Sequence, residues 1–249
     1  METIKIYKKT YVLFGKVRGH QKDKFNRATK LAYRFEELDA KFRGIVERGI
    51  VSNTEHARCA LAMLLMMHTG IRLGNEDSAE GYMTKPHPNQ KDKVPEFVKT
   101  YGLTTLLGEH IEIVNWKKCL INFVGKKQVA NAFIITDKEI VRSIAILKDY
   151  QLTGNEAEPI FGITPYILTK FVKKHVGKGF SPKDFRCMKA NLEAWKYVGR
   201  YDWTSYNKKE TKQQIKAMYE HVANMLNNTP GVCKKSYVCG DLPLYLSNN

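Results

Sequence analysis

With 249 residues, 43% of them hydrophobic, the chain has enough apolar material to bury a core in one large domain or two small ones. Its 41 basic residues outnumber 25 acidic ones, and the resulting +16 is spread along the sequence, which points to a polyanionic partner, duplex DNA ahead of an anionic membrane. No run reaches the roughly 20 apolar residues of a membrane span, and the Met1-Glu2-Thr3 start lacks a signal peptide's apolar core. Cys59, Cys119, Cys187, Cys233 and Cys239 have neither zinc nor disulfide spacing, so a reducing compartment is expected. The seven histidines form no H-E-x-x-H cluster, which disfavours a metal-dependent nuclease; no metal and no cofactor are expected.

Partial alternation over residues 4–17 predicts one or two short strands, followed by a basic run, Lys16 to Lys24, read as an exposed arm. Apolar residues at helical intervals predict one helix over residues 31–46. Ser52-Asn53-Thr54-Glu55 has capping-box spacing and opens a second helix, apolar almost all round from Ala57 to Met67 and ended by Gly70. Residues 82–99, with Pro86, Pro88 and Pro95, read as a polar loop. Short β-rich runs at 111–113, 120–124 and 132–135, separated by turns, predict a three-stranded antiparallel sheet with Lys126 at the tip of its second hairpin. Helices are then predicted over residues 140–150, 164–175, 181–197 and 208–226. The fold class is therefore mainly α (α+β).

Four segments carry chemistry. Gly70-Ile71-Arg72-Leu73-Gly74 places an arginine after a buried helix, and a planar guanidinium can hold two non-bridging phosphate oxygens at once. Gly125-Lys126-Lys127 is not a P-loop, because the preceding glycine and following Ser or Thr are missing; a hairpin ammonium is instead a candidate proton donor. Lys183-Asp184-Phe185-Arg186 opens a helix capped by Ser181-Pro182, with Lys183 and Arg186 three residues apart on one face. Asn228 through Lys234-Lys235-Ser236-Tyr237 sets a tyrosine among cations. Free tyrosine, with a pKa of about 10, is a poor nucleophile, so a site that uses one needs positive charge around it. Taken singly, Arg72 is a turn arginine, Lys126 a solvated hairpin lysine and Tyr237 one of 13 tyrosines.

Taken in order, these segments and Tyr101-Gly102-Leu103-Thr104-Thr105-Leu106 resemble the type IB DNA topoisomerases, bacterial and viral branch, over residues 31–237. The resemblance implies the helical catalytic domain of the topoisomerase and tyrosine-recombinase fold, with a small three-stranded antiparallel sheet. It implies Tyr237 as nucleophile, Arg72, Arg186 and Asn228 as stabilisers of the transition-state charge, Lys126 as general acid and Lys183 as support. Lys127, Lys234 and Lys235 are expected to bind DNA. Asn228 stands where poxviral and nuclear members carry histidine and bacterial members typically carry asparagine. Tyrosine recombinases, the alternative reading, typically have a His-x-x-Arg box where this chain has Lys183 to Arg186. Cys187-Met188-Lys189-Ala190 replaces the threonine and aromatic residue common in relatives. Residues 1–30 are expected to be a short N-terminal segment, too few for the β-rich clamp of bacterial relatives, with 31–249 the catalytic domain. The implied partner is duplex DNA, bound by a monomer without a membrane. The implied location is the cytoplasm or nucleoid or, for a viral chain, the site of viral DNA.

Overall fold

Gly70 closes a buried helix with a left-handed φ of +70°, and much of the fold is organised by such punctuation. The protein is represented by a computed structural model that describes residues 2–6, 9–13, 20–84, 96–152, 158–240 and 242. In chain order the elements are β1 (Glu2–Ile6), β2 (Lys9–Leu13), α1 (His20–Tyr33), α2 (Phe35–Gly49), α3 (Glu55–Thr69), α4 (Glu76–Glu80), β3 (Tyr82–Met83) and β4 (Phe97–Val98). They continue as β5 (Ile111–Asn115), β6 (Lys118–Gly125), β7 (Val129–Ile135), α5 (Lys138–Leu152), α6 (Pro165–His175), α7 (Pro182–Val198), α8 (Lys208–Met225) and α9 (Pro230–Ser236). The class is mainly α with a three-stranded antiparallel sheet, β5-β6-β7, as the sequence indicates.

Two compact units result. The first comprises Met1–Gly44, Met63–Ile71 and Thr169–Asn249. Within it α1 packs along α7, α7 against α8 and α8 against α9. Its core includes Phe25, Leu31, Leu38, Phe42, Phe171 and Phe185, and a second cluster of Ala194, Met218, Val222, Leu226, Cys233 and Val238 lies beneath the end of α9. Burying each large apolar side chain contributes about 1.5–3 kcal/mol.

The second unit comprises Ile45–Ala62 and Arg72–Leu168. β6 pairs with β5 (Ile111↔Ile121) and with β7 (Ile121↔Phe133, Gly125↔Val129). Alternation puts Ile121, Phe123, Phe133 and Ile135 on the buried face, while Val124 and Ile134 face outward. The β6–β7 turn runs through Lys126–Gln128, with Lys127 and Gln128 both at positive φ.

Several expectations are corrected. The single helix expected over 31–46 is two, because the Arg34 N–H bonds the Leu31 carbonyl three residues back; its guanidinium bonds Glu37 and the Val176 carbonyl. The helix also begins earlier: residues 20–24, read as an exposed arm, form the first turn of α1, and Phe25, Ala28, Leu31 and Ala32 bury one face. Residues 16–19 of that run lie outside the described residues. The α3 cap is Thr54, whose hydroxyl accepts from the Ala57 N–H at 3.2 Å; Ser52 lies in the turn before it. Within the expected polar loop, β3 pairs with β4 (Tyr82↔Val98, Met83↔Phe97), and residues 85–95 lie outside the described residues. The short helices α4 and α9 lack enough periodic positions to show in the sequence.

Candidate active site

In the first unit, the site is built around Arg186. Ser181 starts α7, with its N–H and hydroxyl both donating to Asp184 Oδ2 at 2.8 and 2.9 Å, and Pro182 follows at the first turn. Arg186 then falls on the inner face of α7 and is only 4% exposed. Its Nη1 donates to the Gly70 carbonyl at the end of α3, and its Nη2 to the Leu226 carbonyl at the end of α8, at 2.8 Å. Two helix C-terminal carbonyls thus fix the plane of the guanidinium and offset part of the cost of burying its charge. Gly70 has a packing reason beyond its φ: a Cβ there would lie 2.5 Å from a Leu226 methyl.

Tyr237 lies against this arginine, its ring centroid 5.0 Å from the Arg186 guanidinium carbon. Thr229 caps α9 by accepting from the Val232 N–H at 3.4 Å, Pro230 takes the first turn, and Tyr237 is the residue on which the helix ends. Its backbone is held from α7 by Asn191. That amide donates to the Tyr237 carbonyl at 2.9 Å and to the Cys187 carbonyl at 2.7 Å, and accepts from the Cys239 N–H at 2.8 Å.

Asn228 is placed by the end of α8. Asn227 adopts φ +48°, the Asn227 N–H bonds Asn224, and the Asn228 N–H bonds the Ala223 carbonyl at 2.9 Å. This is a Schellman closure, so the backbone position of Asn228 is dictated by the helix it follows.

Lys183 is exposed on the first turn of α7, whereas Arg186 is buried, so their spacing of three does not give them one environment. Lys234 and Lys235 are exposed on α9. Lys24, within the basic run expected as an exposed arm, bonds the Ser236 carbonyl through Nζ and lies 5.5 Å from the Tyr237 ring centroid. Asn191 was also missed. The early apolar positions of α1 signal a helix that would carry Lys24; nothing in the sequence marks Asn191.

A partly buried ionic group, centred on Glu193, lies two turns beyond Arg186 on α7. Lys189, Lys196 and His221 converge on Glu193 at 2.9, 2.8 and 3.8 Å. Burial opposes charge on Glu193, but the two lysines outweigh it and hold the carboxyl down at about 2. Burial also lowers the Lys189 ammonium, against the pull of Glu193. The group is anchored by its carboxylate, which has two close lysine partners where Lys189 has one carboxylate. Burial raises the Cys187 thiol, with nearby Lys24 opposing the shift.

Arg72 and Lys126 belong to the second unit, where one segment ties their backbones together. The Arg72 carbonyl accepts from the Leu103 N–H at 2.8 Å, and the Leu73 carbonyl accepts from both the N–H and the hydroxyl of Thr104 at 2.8 Å. Next to them the Tyr101 N–H bonds the Val124 carbonyl at 2.8 Å, and Tyr101 bridges to Gly125 beside Lys126. Gly74 and Gly102 allow this approach: a Cβ on Gly102 would sit 2.5 Å from Gly74 N and 2.9 Å from the Arg72 carbonyl. Lys126 and Lys127 are exposed on the turn, and Arg72 is half-buried.

A family model described as eukaryotic DNA topoisomerase I, catalytic core, matches residues 15–239. The chain belongs to the type IB topoisomerase family. The match takes in helix α1 as well as the blocks that carry Arg72, Lys126, Arg186, Asn228 and Tyr237. The chain is also similar to the DNA topoisomerase 1B of Acanthamoeba polyphaga mimivirus, 29% identical over 163 residues. That alignment covers 60% of this chain and 48% of the viral topoisomerase, so the chain spans about half the length of this relative.

Proposed function

We propose that the chain is the catalytic domain of a type IB DNA topoisomerase that relaxes supercoiled duplex DNA as a monomer, without ATP or a metal ion. Tyr237 Oη attacks a backbone phosphorus as its phenolic proton passes to water. The O–P bond forms as the bond from phosphorus to the 5′ oxygen breaks, and the electron pair leaves on that oxygen. Lys126, at the tip of its hairpin, protonates it, with Lys183 in support. The products are a 3′-phosphotyrosyl strand and a free 5′-hydroxyl strand. Arg72, Arg186 and Asn228 stabilise the charge on the non-bridging oxygens in the transition state. Rotation of the free strand relieves supercoiling, and attack by the 5′-hydroxyl restores the phosphodiester. Since the ester exchange conserves bond energy, no external energy source enters the balance.

The observation that carries this reading is the Tyr237 ring packed 5.0 Å from a buried guanidinium whose plane two backbone carbonyls fix. Preorganisation of that kind matters because a displacement of about 1 Å can cost roughly a hundredfold in rate. The reading requires the second unit's Arg72 and Lys126 to act on the phosphate that Tyr237 attacks. Lys127, Lys234 and Lys235 bind backbone phosphates on either side, which makes affinity fall steeply with salt.

The test is relaxation of negatively supercoiled plasmid in EDTA without ATP, with Tyr237→Phe alongside. The parent relaxes the plasmid and the variant does not, although both bind it. Equal relaxation by the two proteins rules out Tyr237 as nucleophile, and no relaxation by either contradicts the assigned activity.

A further inference from the structure

We infer that Lys24, on α1, is a positioning residue for Tyr237: it grips the peptide before the nucleophile and holds the ring in place beside Arg186. The inference rests on the reading of Tyr237 as the nucleophile. Helix α9 is a seven-residue helix, so the carbonyls of its last turn have few intrahelical partners and its end is prone to fray. Tyr237 sits at that end. Asn191 holds the Tyr237 carbonyl and the Cys239 N–H, and the Tyr237 N–H bonds the Cys233 carbonyl at 3.0 Å, which leaves the Ser236 carbonyl and the ring to be secured by other groups.

Lys24 reaches both. Its Nζ donates to the Ser236 carbonyl, a favourable place for a cation at a helix C-terminus, and lies 5.5 Å from the centroid of the Tyr237 ring. The Arg186 guanidinium lies 5.0 Å from the same centroid, so two cations from different helices contact one phenol ring. Helix α1 is well placed to serve as the anchor. Phe25 and Ala28 are buried, and Arg27 forms a 3.0 Å ion pair with Asp184, two residues before Arg186 on α7. The position of Lys24 is thereby referenced to the helix that carries Arg186. Lys24 also engages the buried Cys187 thiol of α7, a further tie to the helix that carries Arg186.

A side chain that only supports the fold would alter stability. One that positions the nucleophile alters turnover by bound protein. The experiment compares the parent with Lys24→Met, Lys24→Gln and Lys24→Arg. It measures plasmid relaxation rate at saturating protein, affinity for a labelled duplex, and thermal unfolding. Lys24→Met removes the charge at nearly constant length and lowers the saturated rate by about tenfold to a hundredfold, the cost of a misplaced reacting group. Its affinity stays within about threefold, because one charge adds little to a site of many contacts. Lys24→Arg recovers most of the rate. Lys24→Gln, which keeps a donor for the Ser236 carbonyl without a charge, falls between Met and Arg. Should Lys24→Met fail to fold, the Gln and Arg variants decide the matter. A parent that relaxes DNA beside Lys24→Met, or Lys24→Gln where the Met variant does not fold, within about twofold overturns the inference and leaves the reading of Tyr237 intact, since that is the range of an ordinary surface change. A parent that does not relax DNA overturns both.

Discussion

Glu193 receives two lysine ammoniums on a helix face that is mostly shielded from water, with side-chain exposures of 11% for Glu193 and 13% for Lys189. Removing the carboxylate leaves Lys189 buried and facing a second cation, Lys196, so Glu193→Gln should cost stability near the lower end of about 3–5 kcal/mol, read by denaturant unfolding. The pH dependence follows from the same geometry. A folded-state value of about 2, against an ordinary 4.5, means the contribution is complete above pH 4.5 and is lost as pH falls from there toward 2. The parent should lose stability across that acid window more steeply than Glu193→Gln. Parallel curves for the two proteins would contradict the assignment. Lys189 flanks Gly70, where an added Cβ would lie 3.2 Å from Lys189 Cγ, and Gly70 supplies a carbonyl to Arg186. The ionic group therefore supports the floor on which Arg186 rests.

At the scale of elements, the contact between the Arg72 turn and residues 101–105 is a backbone-on-backbone approach. Gly102 has an extended φ of −162°, which any residue adopts, so glycine is needed there for space alone. Gly102→Ala should destabilise by about 1–3 kcal/mol, the usual cost of forced overpacking. It should also slow DNA relaxation at saturating protein, because the displaced atoms include the Arg72 carbonyl. Gly179→Ala, where an added Cβ meets nothing within 4 Å, is the control and should stay within about 0.5 kcal/mol of the parent. The turn around Arg72, the β6–β7 hairpin with Lys126 and the helix with Arg186 were all legible, because each is announced by local chemistry: a left-handed glycine, alternation broken by a polar turn, a Ser-Pro start. Lys24 was hidden because a run of charges at 16–24 looked like an arm, although Phe25 and Ala28 already followed helical spacing. Asn191 was hidden for a deeper reason. Its amide serves a loop 46 residues away, and a polar residue in mid-helix carries no sequence mark of such a partner.

For the whole molecule, the family assignment and the +16 charge are consistent with action on a polyanion, and the proposed chemistry reduces to one covalent bond. The most direct measurement is to stop the reaction of the protein with supercoiled plasmid in EDTA using detergent. The trapped complex is then digested with protease and nuclease, and the nucleotide-bearing peptide is sequenced by mass spectrometry. Nicked plasmid is expected, with the protein joined to a 3′ phosphate through Tyr237 and a 5′ end that polynucleotide kinase labels without prior phosphatase treatment. Absence of an adduct, linkage to a 5′ phosphate, or attachment through any other residue would contradict the proposed mechanism.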